Sequence, residues 1–171
     1  MRKSLPKYLS VVVSLLFVFP FLAGAVEFGV FNGSPDALDA YVGKGQWVVV
    51  KIWAHDCNVC NEEAHEYVAF HNKHKATDAV MLGISVDGKA KLEKARDFLR
   101  RHKIPYTSLL GEPEAVARFY QQKTGSPWIG TPTFIIYDPT GKLVAETAGA
   151  VPTTIVEQFI TGYTATKKVK K

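Results

Sequence analysis

Cysteine is scarce in this chain: two residues out of 171, Cys57 and Cys60, three positions apart. That count excludes a small domain stapled by several disulfides. There is no second C-x-x-C pair to complete a structural zinc site, no internal repeat and no low-complexity linker. A basic stripe interleaved with aromatics is also missing. The net charge of +5 comes from the ends, where Arg2, Lys3, Lys7 and Lys167, Lys168, Lys170, Lys171 stand without an acid among them. The body between them is slightly acidic, so no nucleic-acid partner is expected.

What is present is an ordinary globular composition, with 47% hydrophobic and 22% charged residues. The length suits one domain with a real core. The N-terminus reads as an export signal. A basic segment with Arg2, Lys3 and Lys7 precedes the apolar run Leu9–Leu22, and Ala23-Gly24-Ala25 offers small residues for cleavage. The expectation is a signal peptide over residues 1–25, a folded domain over 26–163 and a basic disordered tail over 164–171. The uncharged stretch Tyr8–Val26 could instead remain as a membrane anchor. Either way the body lies outside the cytoplasm, and a periplasmic location is expected. In that setting the cysteine pair is informative: so small a loop removes little unfolded-state entropy, so the pair suits chemistry better than stabilisation.

The body alternates strand and helix patterns. Residues 46–54 (QWVVVKIWA) are mostly apolar and rich in β-branched and aromatic side chains, which predicts a buried central strand. Asp56 is the expected N-cap of a helix running to about Lys75, with Glu62, Glu63 and Glu66 in its early turns. A second buried strand is predicted over 79–86, a helix over 89–102, a short strand over 106–110 and a helix over 114–122. The strand 133–137, the turn Asp138-Pro139-Thr140-Gly141 and the return strand 142–147 form a hairpin. A last helix is predicted over 153–160, with Ile155, Val156, Phe159 and Ile160 facing inward. The pattern is one α/β domain with parallel strands and a terminal antiparallel hairpin.

Cys57 at a helix N-terminus would meet unpaired backbone N–H groups. Such sites lower a cysteine pKa from about 8.5 to roughly 3.5–7.5 and favour the thiolate, the form that attacks a disulfide. Cys60, one turn later, can attack the resulting mixed disulfide and release the product.

The segment WAHDCNVC, with Trp53 four residues before Cys57, resembles the active-site segment of the thioredoxin superfamily, and GTPTFIIYDPTGKLV resembles its cis-proline strand and hairpin. The extra elements between Val86 and Thr131, together with the export signal, are similar to the TlpA/ResA branch of extracytoplasmic thiol-disulfide oxidoreductases. The resemblance spans roughly residues 46–160. It implies a thioredoxin fold, with a central mixed β-sheet flanked by helices, a terminal antiparallel hairpin and a C-terminal helix. It also implies disulfide exchange with protein thiols, with reduction the expected direction. Cys57 would attack and Cys60 resolve, Pro132 would be the cis-proline, Thr131 would precede it, and Glu63 would be the acid near the buried cysteine. No cofactor and no metal are implied, and a membrane-bound electron donor would recharge the site. The roughly twenty residues between Ala25 and Gln46 leave no room for an added dimerisation domain, so a monomer is expected.

The sequence departs from the family pattern in three places. Asp56 stands where a bulky residue is usual and opposes ionisation of Cys57. Val59 stands where proline is common, and Lys51 where thioredoxins carry a buried acid, so Lys51 either reaches out to solvent or pairs with Glu63. Trp53 is expected mainly to pack the core. His55 reads as a solvated loop histidine. A different class of function from the same residues is a Cu(I) carrier, using Cys57, Cys60 and a nearby histidine such as His55.

Overall fold

The computed structural model describes residues 30–169, with side chains to 167. The expected signal segment 1–25 lies outside the described residues. Five strands form a single sheet: β1 (Trp47–Trp53), β2 (Ala79–Ser85), β3 (Ser108–Leu110), β4 (Thr133–Tyr137) and β5 (Leu143–Ala148), in the order β3-β2-β1-β4-β5. β1 runs parallel to β2, and β2 to β3, whereas β4 is antiparallel to both β1 and β5. The sheet is therefore mixed, as the thioredoxin resemblance implies. Among the described residues five α-helices accompany it: α1 (Asn58–Glu62), α2 (Ala64–His74), α3 (Leu92–Arg101), α4 (Pro113–Thr124) and α5 (Thr153–Val169).

Every residue of β1 is buried, because helices cover both faces of the sheet. Trp47, Val49 and Trp53 join the apolar layer under α2, α3 and α5, with Tyr67, Phe70, Phe98, Leu99, Val156 and Ile160. Val48, Val50 and Ile52, on the opposite face, join the layer under α4, with Val116, Phe119 and Tyr120. Strand periodicity puts Lys51 on the first of these faces, with its ammonium 4.9 Å from the centre of the Tyr67 ring.

The structure differs from the sequence expectation at both ends of the helical set. The first helix is broken rather than continuous: Glu63 closes α1, its N–H donating to the carbonyl of Val59 at 3.0 Å, before α2 begins. The predicted Asp56 cap is replaced by Cys57 itself, whose sulfur accepts the Cys60 N–H at 3.1 Å. The last helix continues past Ile160 to Val169, so the tail expected to be disordered from residue 164 is helical over its described part. Its last described side chain is tied down, since Lys167 Nζ lies 2.6 Å from Asp138 Oδ2. Ile155 is half exposed rather than inward, because Val156 and Ile160, four apart, define the buried stripe.

The hairpin turn follows its sequence. Asp138, fully buried, accepts from the Thr140 N–H at 2.9 Å and from the Lys142 N–H at 3.1 Å. Burial works against its charge, but Lys167, Thr140 and these N–H groups outweigh it and hold the Asp138 carboxyl at about 2. Gly141 takes φ +86° at the end of the turn, a conformation that L side chains rarely adopt.

His71 on α2 is a buried acid-sensing point in the core. Its Nδ1 accepts the Met81 N–H at 3.2 Å, and burial pushes the imidazole down to about 4. The unfolded chain binds a proton at this position between about pH 6.5 and 4 while the native protein does not, so stability falls as pH drops through that window. His71→Gln is expected to flatten the denaturation midpoint between about pH 6.5 and 4, removing on the order of 3 kcal/mol of acid-induced loss. Chemical denaturation at stepped pH measures it. An unchanged slope would assign the loss to other groups.

Candidate active site around Cys57 and Cys60

β1 ends at Trp53, and the chain turns through Ala54, His55 and Asp56 into α1. The Cys57 N–H donates to the Ala54 carbonyl at 3.3 Å, and the Asn61 N–H donates to the Cys57 carbonyl at 3.1 Å. Cys57 and Cys60 are joined in a disulfide, with Cα atoms 5.2 Å apart. Cys57 is partly exposed and Cys60 is fully buried.

Trp53 lies under this turn as a core residue. Its ring stacks on Phe98 at 4.2 Å between centroids, and it is 2% exposed. Its contribution to the site is therefore packing. Thr131 and Pro132 reach the same end of the sheet by register: Thr133, the next residue, pairs with Ile52 near the end of β1. The Thr131–Pro132 peptide bond is cis. The Pro132 carbonyl accepts the Gly149 N–H at 2.8 Å, which ties the loop before β4 to the end of β5.

On the α2-facing side of β1, Lys51 pairs with Glu63. The ammonium lies 2.8 Å from Glu63 Oε1, and the two side chains are 3% and 10% exposed. Each charge is thus compensated by the other inside the core. Burial lowers the lysine and raises the glutamate from their ordinary values, and their mutual attraction opposes both shifts. Of the two fates open to Lys51, the buried pair is the one adopted. Glu63 stands three residues after Cys60 at the break between α1 and α2.

Sequence reading missed two residues. Asn61 donates through Nδ2 to the carbonyls of His55 (3.1 Å) and Cys57 (2.9 Å), while its Oδ1 meets Arg101 Nη2 at 2.9 Å and His102 Nε2 at 3.0 Å. This side-chain amide pins the cysteine turn to the end of α3. Asp87, just past β2, holds His55, whose Nδ1 lies 2.5 Å from Asp87 Oδ1. His55 is thus anchored rather than solvated. A signal for Asp87 existed: it follows a buried parallel strand at the carboxyl edge of the sheet, where α/β proteins place their sites. Donor atoms of His55, Asp56 and Asp87 come within 4.8 Å of one another. These carboxylates already serve Lys91, 3.6 Å from Asp56, and the N–H and O–H donors of His55 and Ser85, so the cluster is an internal network.

Comparison with known proteins supports the fold. The thioredoxin domain of a thiol-disulfide oxidoreductase from Bacteroides vulgatus is 25% identical, with a TM-score of 0.57 over 69% of this chain and 81% of that one. A thioredoxin-family thiol:disulfide interchange protein from Chlorobium tepidum is 18% identical, with a TM-score of 0.63 over 77% and 90%. A DsbF homologue from Corynebacterium diphtheriae is 22% identical, with a TM-score of 0.60 over 73% and 75%. The sequence matches no curated protein. The AhpC/TSA family model matches residues 25–146, most of the chain and all of the cysteine site described above. The protein therefore belongs to the AhpC/TSA family.

Proposed function

We propose that this protein is an exported thiol-disulfide oxidoreductase that reduces disulfides in other proteins through Cys57 and Cys60. The observation that carries this reading is the asymmetry of the pair. Cys57 is exposed enough to meet a client and receives a backbone N–H on its sulfur, while Cys60 is sealed at the base of α1. An N–H aimed at sulfur favours the thiolate once the disulfide is opened.

The reduced protein attacks through the Cys57 thiolate. A client S–S bond breaks, a Cys57–client bond forms, and the other client sulfur leaves. Cys60 then attacks Cys57, the second client sulfur leaves, and the Cys57–Cys60 disulfide forms again. The client gains two electrons and two protons. A membrane-bound donor of electron pairs restores the thiols, because exported compartments are kept oxidising. Thr131, before the cis bond to Pro132, offers backbone groups to an extended client segment. Val59 and Ile129 are exposed apolar residues on α1 and on the loop leading to Thr131, and they suit the same contact. Glu63, whose buried carboxyl is raised by desolvation, manages the proton of Cys60. Residues 1–25 direct export or anchor the chain, residues 26–163 form the catalytic domain, and the protein acts as a monomer in the periplasm. Among the described residues no helix is long and apolar enough to cross a membrane.

Cys57→Ser is expected to bring reduction of insulin by dithiothreitol down to the uncatalysed rate, whereas Cys60→Ser should retain a client as a mixed disulfide on a non-reducing gel. Full insulin reduction by Cys57→Ser would overturn the assignment. For direction, a reductase predicts a Cys57/Cys60 potential near −270 mV against glutathione, while a value near about −120 mV would identify an oxidant instead. Glu63→Gln is expected to slow release of the mixed disulfide on the order of 100-fold while leaving alkylation of Cys57 unchanged. Equal rates in stopped-flow release would remove Glu63 from the proton path.

A further inference from the structure

Thiol attack on a disulfide moves a proton as well as a bond. The Cys57 thiol loses a proton before it attacks, and the departing client sulfur gains one unless it is stable as a thiolate. His55 stands on the same tight turn as Cys57, two residues before it, and Asp87 holds its imidazole.

His55 lies two residues before Cys57, and one nitrogen, Asn61 Nδ2, touches the carbonyl oxygens of both. This clamp fixes the two residues on one tight turn. The His55 backbone N–H donates to Asp87 Oδ2 at 3.0 Å, and its Nδ1 lies 2.5 Å from Oδ1. The Asp87 carboxylate is 1% exposed, and the Ser85 hydroxyl donates to it at 2.7 Å. A buried carboxylate can only accept here, so the hydrogen-bond pattern assigns the proton to Nδ1. Nε2 is left with its lone pair and, among the described residues, has no hydrogen-bond partner. The carboxylate and imidazole are paired as in the relays that activate a nucleophile in unrelated folds, and the nucleophile of this protein lies two residues on. The other charged groups near the imidazole are Asp56, 3.9 Å from Nδ1, and Lys91, which pairs with Asp56 at 3.6 Å. From α3, Arg101 and His102 reach this turn only through Asn61.

We infer that His55, oriented by buried Asp87, shuttles the proton of Cys57 during exchange. This rests on the exchange reading above. Nε2 takes the proton of the Cys57 thiol, by direct contact or through one water, and Asp87 stabilises the imidazolium. Cys57 attacks the client disulfide, one S–S bond breaks and another forms, and the imidazolium returns the proton to the departing sulfur. Charge and protons balance with no further reagent. His55 is the acid–base group and Asp87 its positioning residue. Clients whose leaving sulfur is an alkyl thiol gain most, because an aromatic thiolate leaves without a proton.

The test uses the reduced protein in a Cys60→Ser background, so that Cys57 alone reports. Iodoacetamide reads the loss of the thiol proton, while glutathione disulfide and an aromatic disulfide, 5,5′-dithiobis(2-nitrobenzoic acid), read its return. His55→Gln is expected to slow alkylation about tenfold near pH 6 and to converge with the parent near about pH 9, where solvent removes the proton unaided. Relative to alkylation at the same pH, it should lose about another tenfold with glutathione disulfide and nothing with the aromatic one. Asp87→Asn, with an unchanged circular dichroism spectrum, should show the same pattern with smaller losses. A merely structural role would lower all three reactions equally at every pH, and that result overturns the shuttle. Parent-like behaviour of His55→Gln throughout overturns it as well, while leaving the exchange reading standing. If the parent reacts with neither disulfide, the exchange reading falls and takes the shuttle with it.

Discussion

Seven consecutive buried residues in β1 leave that strand no solvent face, and the two helical layers and the cysteine turn are arranged around its burial. The alternation of its side chains divides the core into two apolar layers and puts Lys51 in one of them. A lysine there requires an acid, and the acid arrives from the first helical turns in Glu63. The break between α1 and α2 stands at that residue. The chain leaves the carboxyl end of β1 directly into the turn that bears Cys57, so what fixes the strand also fixes the sulfur.

Two side chains outside the cysteine pair hold the turn from different directions, and a loop ends beside the same edge of the sheet. Asn61 ties its carbonyl groups to α3, Asp87 ties His55 to the end of β2, and β4 begins opposite Ile52, one residue before the end of β1. Each hold belongs to a different element, and all meet where β1 and β2, running in parallel, end together. Positioning of this kind by rigid elements is what exchange chemistry needs, because the nucleophile must stay in place after the sulfur–sulfur bond that joins the pair is opened.

Much of this was legible in the sequence because it rests on local patterns. Runs such as WVVVKIW and TFIIY, short and rich in β-branched and aromatic residues, read as buried strands, and Asp-Pro-Thr-Gly reads as a turn. The cysteine spacing with its upstream tryptophan and downstream Gly-Thr-Pro marked the site. The residues that were missed act across long sequence separations. Asp87 lies 32 residues from His55, and Arg101 lies 40 residues from Asn61. No local periodicity encodes such partners, so a buried aspartate reads as a loop acid until the strands are set side by side. The end of α5 was missed for a related reason. Its last turns are polar and look solvated, yet Lys167 has a buried carboxylate waiting in the hairpin turn.

That helix runs from Thr153 to Val169. It starts beside Val151, whose carbonyl accepts the Tyr67 hydroxyl at 2.6 Å, and it finishes against the turn at the far end of β4 from Thr131. Its final residues therefore stand at the pole of the molecule opposite the sulfurs. Coupling the protein to a bead, a fluorophore or a second domain through this pole would leave the sulfur-bearing mouth open to large folded clients.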